Sequence, residues 1–180
     1  MSASTFKWIL YPINQFDECA VEWQSLNTKT AKSPLLDPRF ITPLLNYFSE
    51  KEMVIAFAYK HEELVIASIL TKLRLGQWQT FQPSQAPMGM WLCKKEYFND
   101  DSLASLANAL PGLVLTLSIT QQDPNVLARP CASKYSSTLD YITTPKLDVP
   151  ESFDDYWATR SKNVRSSVGK AKRRLCGNIA

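Results

Sequence analysis

The chain has 180 residues, with 20 Lys and Arg, 17 Asp and Glu, one His and a formal net charge of +3. Seven of the basic residues fall between Arg160 and Arg174 with no acid there or beyond, so residues 1–159 hold 13 basic against 17 acidic residues (−4) and the remainder carries +7. A hydrophobic fraction of 45% with 11% aromatics excludes a disordered chain, and no apolar run nears the roughly 18 residues that span a bilayer.

Trp8–Tyr11 reads as a first strand stopped by Pro12. Asn14 is positioned to cap a helix whose apolar stripe is Phe16, Cys19, Ala20, Trp23 and Leu26. Asp37-Pro38 starts a second helix, with Asp at the N-cap and Pro at the first turn, and Phe40, Ile41, Leu44, Leu45 and Phe48 as its buried face. Met53–Tyr59 and Leu64–Leu75 form an antiparallel hairpin around the polar turn Lys60–Glu63. Gly76–Phe81 is a third strand of this region and Met90–Cys93 a short fourth, separated by the loop Gln82–Gly89. Asp100-Asp101-Ser102 caps a third helix carrying Leu103, Leu106, Ala107 and Leu110, ended by Pro111-Gly112. Leu113–Ile119 reads as a buried strand, residues 121–137 as loop, Thr138–Thr143 as a last strand and Pro145–Pro150 as a spacer. Ser152-x-x-Asp155 opens a final helix with Phe153, Trp157, Val164, Val168, Ala171 and Leu175 on one stripe and cations over the rest of its circumference. This order predicts an α+β or mixed α/β fold: a largely antiparallel sheet with flanking helices, ending in a basic amphipathic helix. The chain divides into a body over 1–150 and the helical segment 151–180.

The familiar catalytic motifs are missing. Five dispersed glycines, at 76, 89, 112, 169 and 177, exclude G-x-G-x-x-G, and Gly169-Lys170 lacks the upstream glycine and the following Ser/Thr of a phosphate loop. No G-x-S-x-G elbow occurs. Cys19, Cys93, Cys131 and Cys176 are scattered, and His61 stands alone at a hairpin turn, so no zinc set is expected. The cysteines read as small buried hydrophobes, reduced as in a cytoplasmic protein, and Met1–Leu10 lacks the apolar core of a secretory signal. Asp100-Asp101 and Asp154-Asp155 sit where helix starts favour acids, which accounts for them without catalysis.

Two regions remain as candidates. The loop Gln82–Gly89 offers Gln82, Ser84 and Gln85 between stiffening prolines, flanked by Trp78, Phe81, Met88, Met90 and Trp91. That composition suits a ligand pocket and equally an ordinary packed loop. The basic helix either packs its stripe on the body with a solvated outer face, or offers its cations to a phosphate-bearing ligand, an acidic partner or nucleic acid.

Four stretches resemble the GNAT acyltransferases of the CelD/BcsL and FemAB-like group. They are Glu22–Leu26 (EWQSL) with Ser33–Phe40 (SPLLDPRF), the hairpin Met53–Leu75, the loop Gln82–Gly89, and Phe153–Trp157 through Ser161–Arg165 to Lys170–Leu175. The resemblance implies a GNAT-like N-terminal half, incomplete here, whose basic helix leads into a missing C-terminal half that holds the acyl-CoA cleft. It implies transfer of an acyl group from acyl-CoA (acetyl-CoA) to a small-molecule amine or sugar-amine, without a metal, and a fragment inactive alone. The acyl-CoA pyrophosphate loop Q/R-x-x-G-x-G/A is absent. On this reading Gln82, Ser84 and Gln85 contact the acceptor, and Lys170, Arg173 and Arg174 contact phosphate. The competing expectation is a non-catalytic α/β interaction module whose basic helix docks an acidic partner or nucleic acid.

Overall fold

The computed structural model describes residues 6–50, 52–130, 132–140, 142–143 and 152–177. Strand β1 (Lys7–Pro12) leads through a short 3-10 turn, Ile13–Gln15, into α1 (Phe16–Lys29). Asn14 lies inside that turn and does not cap the helix; Gln15 occupies the N-cap without a side-chain hydrogen bond. The stripe expected on α1 is buried at Phe16, Cys19, Trp23 and Leu26. Trp23 is fully buried, and its indole N–H donates to Leu36 O at 2.7 Å, so the polar edge of the ring costs nothing to bury. Helix α2 (Pro38–Phe48) begins as its sequence predicts: Asp37 Oδ1 accepts from Arg39 N–H at 2.9 Å and Pro38 fills the first turn. Its buried residues are Ile41, Leu44 and Leu45, while Phe48 is exposed.

Strands β2 (Met53–Lys60) and β3 (Glu63–Arg74) form the antiparallel hairpin. Its turn is only two residues, His61 and Glu62, with φ of 50° and 65°. Two left-handed residues give the turn whose twist matches the flanking strands. The register slips at Ala58/Tyr59, where Ala58 faces Ile66 and Tyr59 faces Leu64, so Val65 is an extra residue. Strands β4 (Gln77–Thr80) and β5 (Trp91–Cys93) both pair antiparallel with β3, β4 along its distal half and β5 nearer its start.

Helix α3 (Asp100–Ala109) follows. Its N-cap is Asn99, one residue before the expected cap: Asn99 Oδ1 accepts from Ser102 N–H at 3.1 Å and Ser102 Oγ accepts from Asn99 N–H at 3.4 Å. Strand β6 (Thr116–Ser118) then pairs parallel with β4. The expected buried strand over Leu113–Ile119 is therefore corrected to a three-residue edge strand, with Leu113 67% and Leu115 71% exposed. The expected strand over Thr138–Thr143 is also corrected: residues 138–140, 142 and 143 carry no regular structure. The spacer Pro145–Pro150 lies outside the described residues.

The sheet has the order β1-β2-β3-β4-β6, with β5 beside β3. Both faces are covered, which is why Met53–Tyr59 is apolar throughout rather than alternating. Met53, Ile55 and Phe57 join Trp23, Leu36, Ile41, Leu44 and Leu45 under α1 and α2. Ala56, Ala58, Ile66, Leu70 and Trp78 join Leu106 of α3 and Leu110 at its C-cap on the opposite face. The fold is mixed α/β: an open, mostly antiparallel sheet flanked by helices, with a helix at the end of the described chain.

Contacts divide the chain into Met1–Tyr141 and Ile142–Ala180. In the second unit the expected single helix is two. Helix α4 (Phe153–Ala158) is capped by Ser152, whose Oγ accepts from Asp155 N–H at 3.0 Å. After a break at Thr159–Ser161, α5 (Lys162–Gly177) carries the remaining cations. The expected buried stripe is exposed: Phe153, Val164, Val168 and Leu175 all face solvent. Phe153 stacks on Trp157 with ring centroids 5.6 Å apart, a local contact within α4.

Candidate functional site

The pairing of β4 and β5 with β3 makes them one interrupted strand. Phe81 N–H donates to Ile69 O (2.7 Å) and Ile69 N–H donates to Met90 O (3.1 Å), so the chain leaves and rejoins β3 across a single residue. Met90 N–H to Phe81 O (3.1 Å) pinches the neck, and residues 82–89 are the excursion it closes. The irregular segment after β6 pins this loop. Gly89 N–H donates to Thr120 O (3.3 Å), Gln122 Nε2 donates to Gly89 O (3.2 Å), and the hydroxyls of Thr80 and Thr120 lie 2.6 Å apart.

Beyond that loop the sheet opens. β4 holds β6 as a parallel neighbour, but β5, its continuation, has no strand on that side among the described residues. Lys94 N–H to Val65 O (3.0 Å) and Ile69 N–H to Met90 O fix the ladder's phase. Met90 turns its carbonyl, and residues 92 and 94 their peptide groups, to β3; Trp91 and Cys93 turn theirs away, with Trp91 N–H donating to Gly89 O at 2.9 Å. A cleft of about 430 Å³ lies along this unpaired edge. Its walls are Trp91, Cys93, Val126 and Leu127, with Gln122 as a neutral polar group, and Lys29, Lys94 and Lys95 form a basic rim beside Glu96.

Lys94 lies 2.6 Å from Glu63, and this bond, with Lys29 further off, holds the Glu63 carboxyl below its ordinary range. Lys29 and Lys95 make no ion pair among the described residues, so the rim keeps positive charge. Burial, reinforced by Glu96, pushes the Cys93 thiol far up, so it is not a thiolate nucleophile. Trp91 is buried, and its indole N–H has no acceptor among the described residues. A shallower hollow of about 300 Å³ shares Lys29 and is lined by Glu22, Tyr59, Glu62 and Glu63. There Tyr59 OH donates to Glu22 Oε2 at 2.6 Å, and burial followed by that bond raises the phenol.

The residues singled out by sequence fall elsewhere. Gln82 is half-buried and spends its amide on Ala86 O (3.2 Å) and Gln121 Oε1, clamping the loop. Ser84 and Gln85 are exposed and bond each other at 2.9 Å. None of the three lines the cleft. Lys170, Arg173 and Arg174 are exposed on α5, where Arg173 Nε donates to its own helix at Gly169 O (3.3 Å). The lysines at the cleft were legible only as Lys94-Lys95 between a short apolar strand and a capped helix; Lys29 reaches the rim by packing alone.

Among the described residues no cluster of three or more His, Cys, Asp or Glu could hold a metal ion, and no helix is long and apolar enough to cross a membrane. No family model, no curated protein and no solved structure matches the chain.

Proposed function

We propose that this chain is the N-terminal part of a GNAT-type N-acyltransferase, moving an acyl group from acyl-CoA to a small-molecule amine or sugar-amine, and that acyl-CoA is held in part by this half and not by the missing half alone, as the resemblance implied. The observation that carries the reading is the parallel pair β4–β6 opening into a cleft along the unpaired edge of β5. Acyl-CoA is an extended arm with two amides, ended by a thioester and headed by phosphates. Trp91 N–H is already spent on Gly89 O (2.9 Å), so the outward carbonyl of Trp91 and the outward peptide group of Cys93 offer that arm strand-like hydrogen bonds. Lys29, Lys94 and Lys95 supply the counter-charge for phosphate in place of the glycine-rich loop this sequence lacks. Transfer is direct: the acceptor amine attacks the thioester carbonyl, its proton passes to a base, and the thiolate leaves. A protonated, buried Cys93 argues against an acyl-cysteine intermediate.

Calorimetric titration with acetyl-CoA tests this. Saturable binding is expected, weakened about tenfold, or about 1.4 kcal/mol, by Lys94→Glu combined with Lys95→Glu. Absence of any heat at millimolar ligand overturns the cleft assignment.

The second reading is an interaction module. It is favoured by α5, whose Val164, Val168 and Leu175 are exposed between cations on both sides. Loss of acyl-CoA binding together with capture of an acidic protein through α5 would select it.

A further inference from the structure

The two outer strands of the sheet are treated differently. β1 carries Lys7 at its start and Pro12 at its end, charge and an absent donor that discourage further pairing. β6 carries neither. From Ser102 to Gln122 the sequence holds no charged residue, and around β6 it reads LVLTLSI. Thr116 and Ser118 are exposed, and Leu73, Leu75, Leu113 and Leu115 are exposed at the same end of the sheet. Leu75 and Leu115 are neighbours there, since Leu115 N–H donates to Gly76 O at 2.7 Å. Thr116 N–H also donates to Gly76 O (3.0 Å), which turns Thr116 and Ser118 inward to β4 and the peptide group of Leu117 outward. No hydrogen bond among the described residues reaches that outward side.

We propose that β6 pairs antiparallel with β6 of a second copy of this chain, across a two-fold axis at Leu117, joining two sheets into one. This goes beyond the acyl-CoA reading and does not depend on it. The edge is self-complementary. A dyad at Leu117 makes that residue exchange both backbone hydrogen bonds with its own copy. It sets Leu115 opposite Ile119 and Thr116 opposite Ser118, with no like charges facing. The dyad carries the two exposed leucine clusters to opposite ends of the pairing, where Leu115 of one copy, with Leu75 beside it, meets Ile119 of the other. An unrelated strand would satisfy the backbone equally, but the uncharged, pseudo-palindromic pattern of aliphatic and hydroxyl residues needs no other sequence to complement it.

Sedimentation equilibrium of the full chain, from low micromolar to several hundred micromolar, tests this, with amide exchange followed at Leu117. The expected result is a concentration-dependent rise to twice the chain mass, accompanied by at least tenfold slower exchange at Leu117. Leu115→Lys and Thr116→Lys place charges beside the axis on exposed positions, opposite Ile119 and Ser118 of the second copy, so each should give a monomer with unaltered circular dichroism. Leu75→Lys, outside the strand, should weaken the dimer even if a β6 variant misfolds. A monomer throughout the concentration range, or a dimer untouched by these substitutions, overturns the proposal.

Discussion

At Gly89 an added Cβ would lie 2.4 Å from Thr80 Oγ1, 2.5 Å from Thr120 Oγ1 and 2.6 Å from Thr120 O. One of those atoms is backbone and the two hydroxyls bond each other, so nothing nearby can yield. Gly89→Ala should therefore destabilise by about 1–3 kcal/mol, read as a lower urea midpoint, and unpin the loop from residues 120–122. An unchanged midpoint would mean the Thr80–Thr120 contact is loose. Asp37 is a second such position. Hydrogen bonds from the Arg39 side chain and backbone hold its carboxyl at about 2. A depressed carboxyl stabilises above the ordinary range near pH 4 and loses that effect as pH falls through about 2. Asp37→Asn keeps an N-cap acceptor but cannot titrate. Its deficit in urea midpoint against the wild type should be largest near neutrality and vanish near pH 2; a constant deficit would show that the ion pair contributes nothing.

At the scale of elements, the sequence was informative wherever periodicity and capping acted together. Asp37-Pro38, the Trp23 stripe and the Met53–Arg74 hairpin all follow from residues near in sequence. Leu113–Ile119 is apolar enough for a core strand, yet the sheet offers it one neighbour, β4, for three residues. Which strand becomes an edge is decided by topology, and composition does not record it. The cleft was illegible for the same reason. It arises because β4 and β5 share β3 while only β4 is followed by a parallel partner, a consequence of the eight-residue excursion at Gln82–Gly89. The same distinction governs α4 and α5. Helical periodicity correctly marks their apolar stripe, but periodicity states only that a face exists, not that anything covers it. Trp157 is half-buried against Phe153 of its own helix. Trp157→Ala should therefore shift the melting curve by less than about 1 kcal/mol equivalent, where a buried Trp would cost about 3–5. A loss in the larger range would show that the stripe is covered in solution.

At the scale of the molecule, one sheet serves two cores. Ile41 of α2 packs on the face formed by Ile55 and Phe57; Leu106 of α3 packs on the face formed by Ala56, Ala58 and Ile66. Residues of both faces alternate along β2, so neither core can open without releasing the strand that supports the other. Residues Phe6 to Asp140 should accordingly unfold in a single transition, with tryptophan fluorescence and far-ultraviolet dichroism coincident. Ile41→Ala and Leu106→Ala should each cost about 2–5 kcal/mol and move both probes together. Because Ile41 and Leu106 belong to cores on opposite faces of the sheet, the double variant should lose the sum within about 0.5 kcal/mol. Leu175→Ala on α5, exposed and in the other unit, should leave that transition in place. If Leu106→Ala moved only part of the signal, the face under α3 would be a separate folding unit. The cleft edge of β5, which takes Trp91 and Cys93 from one core and Leu92 from the other, would then be the boundary where the two come apart.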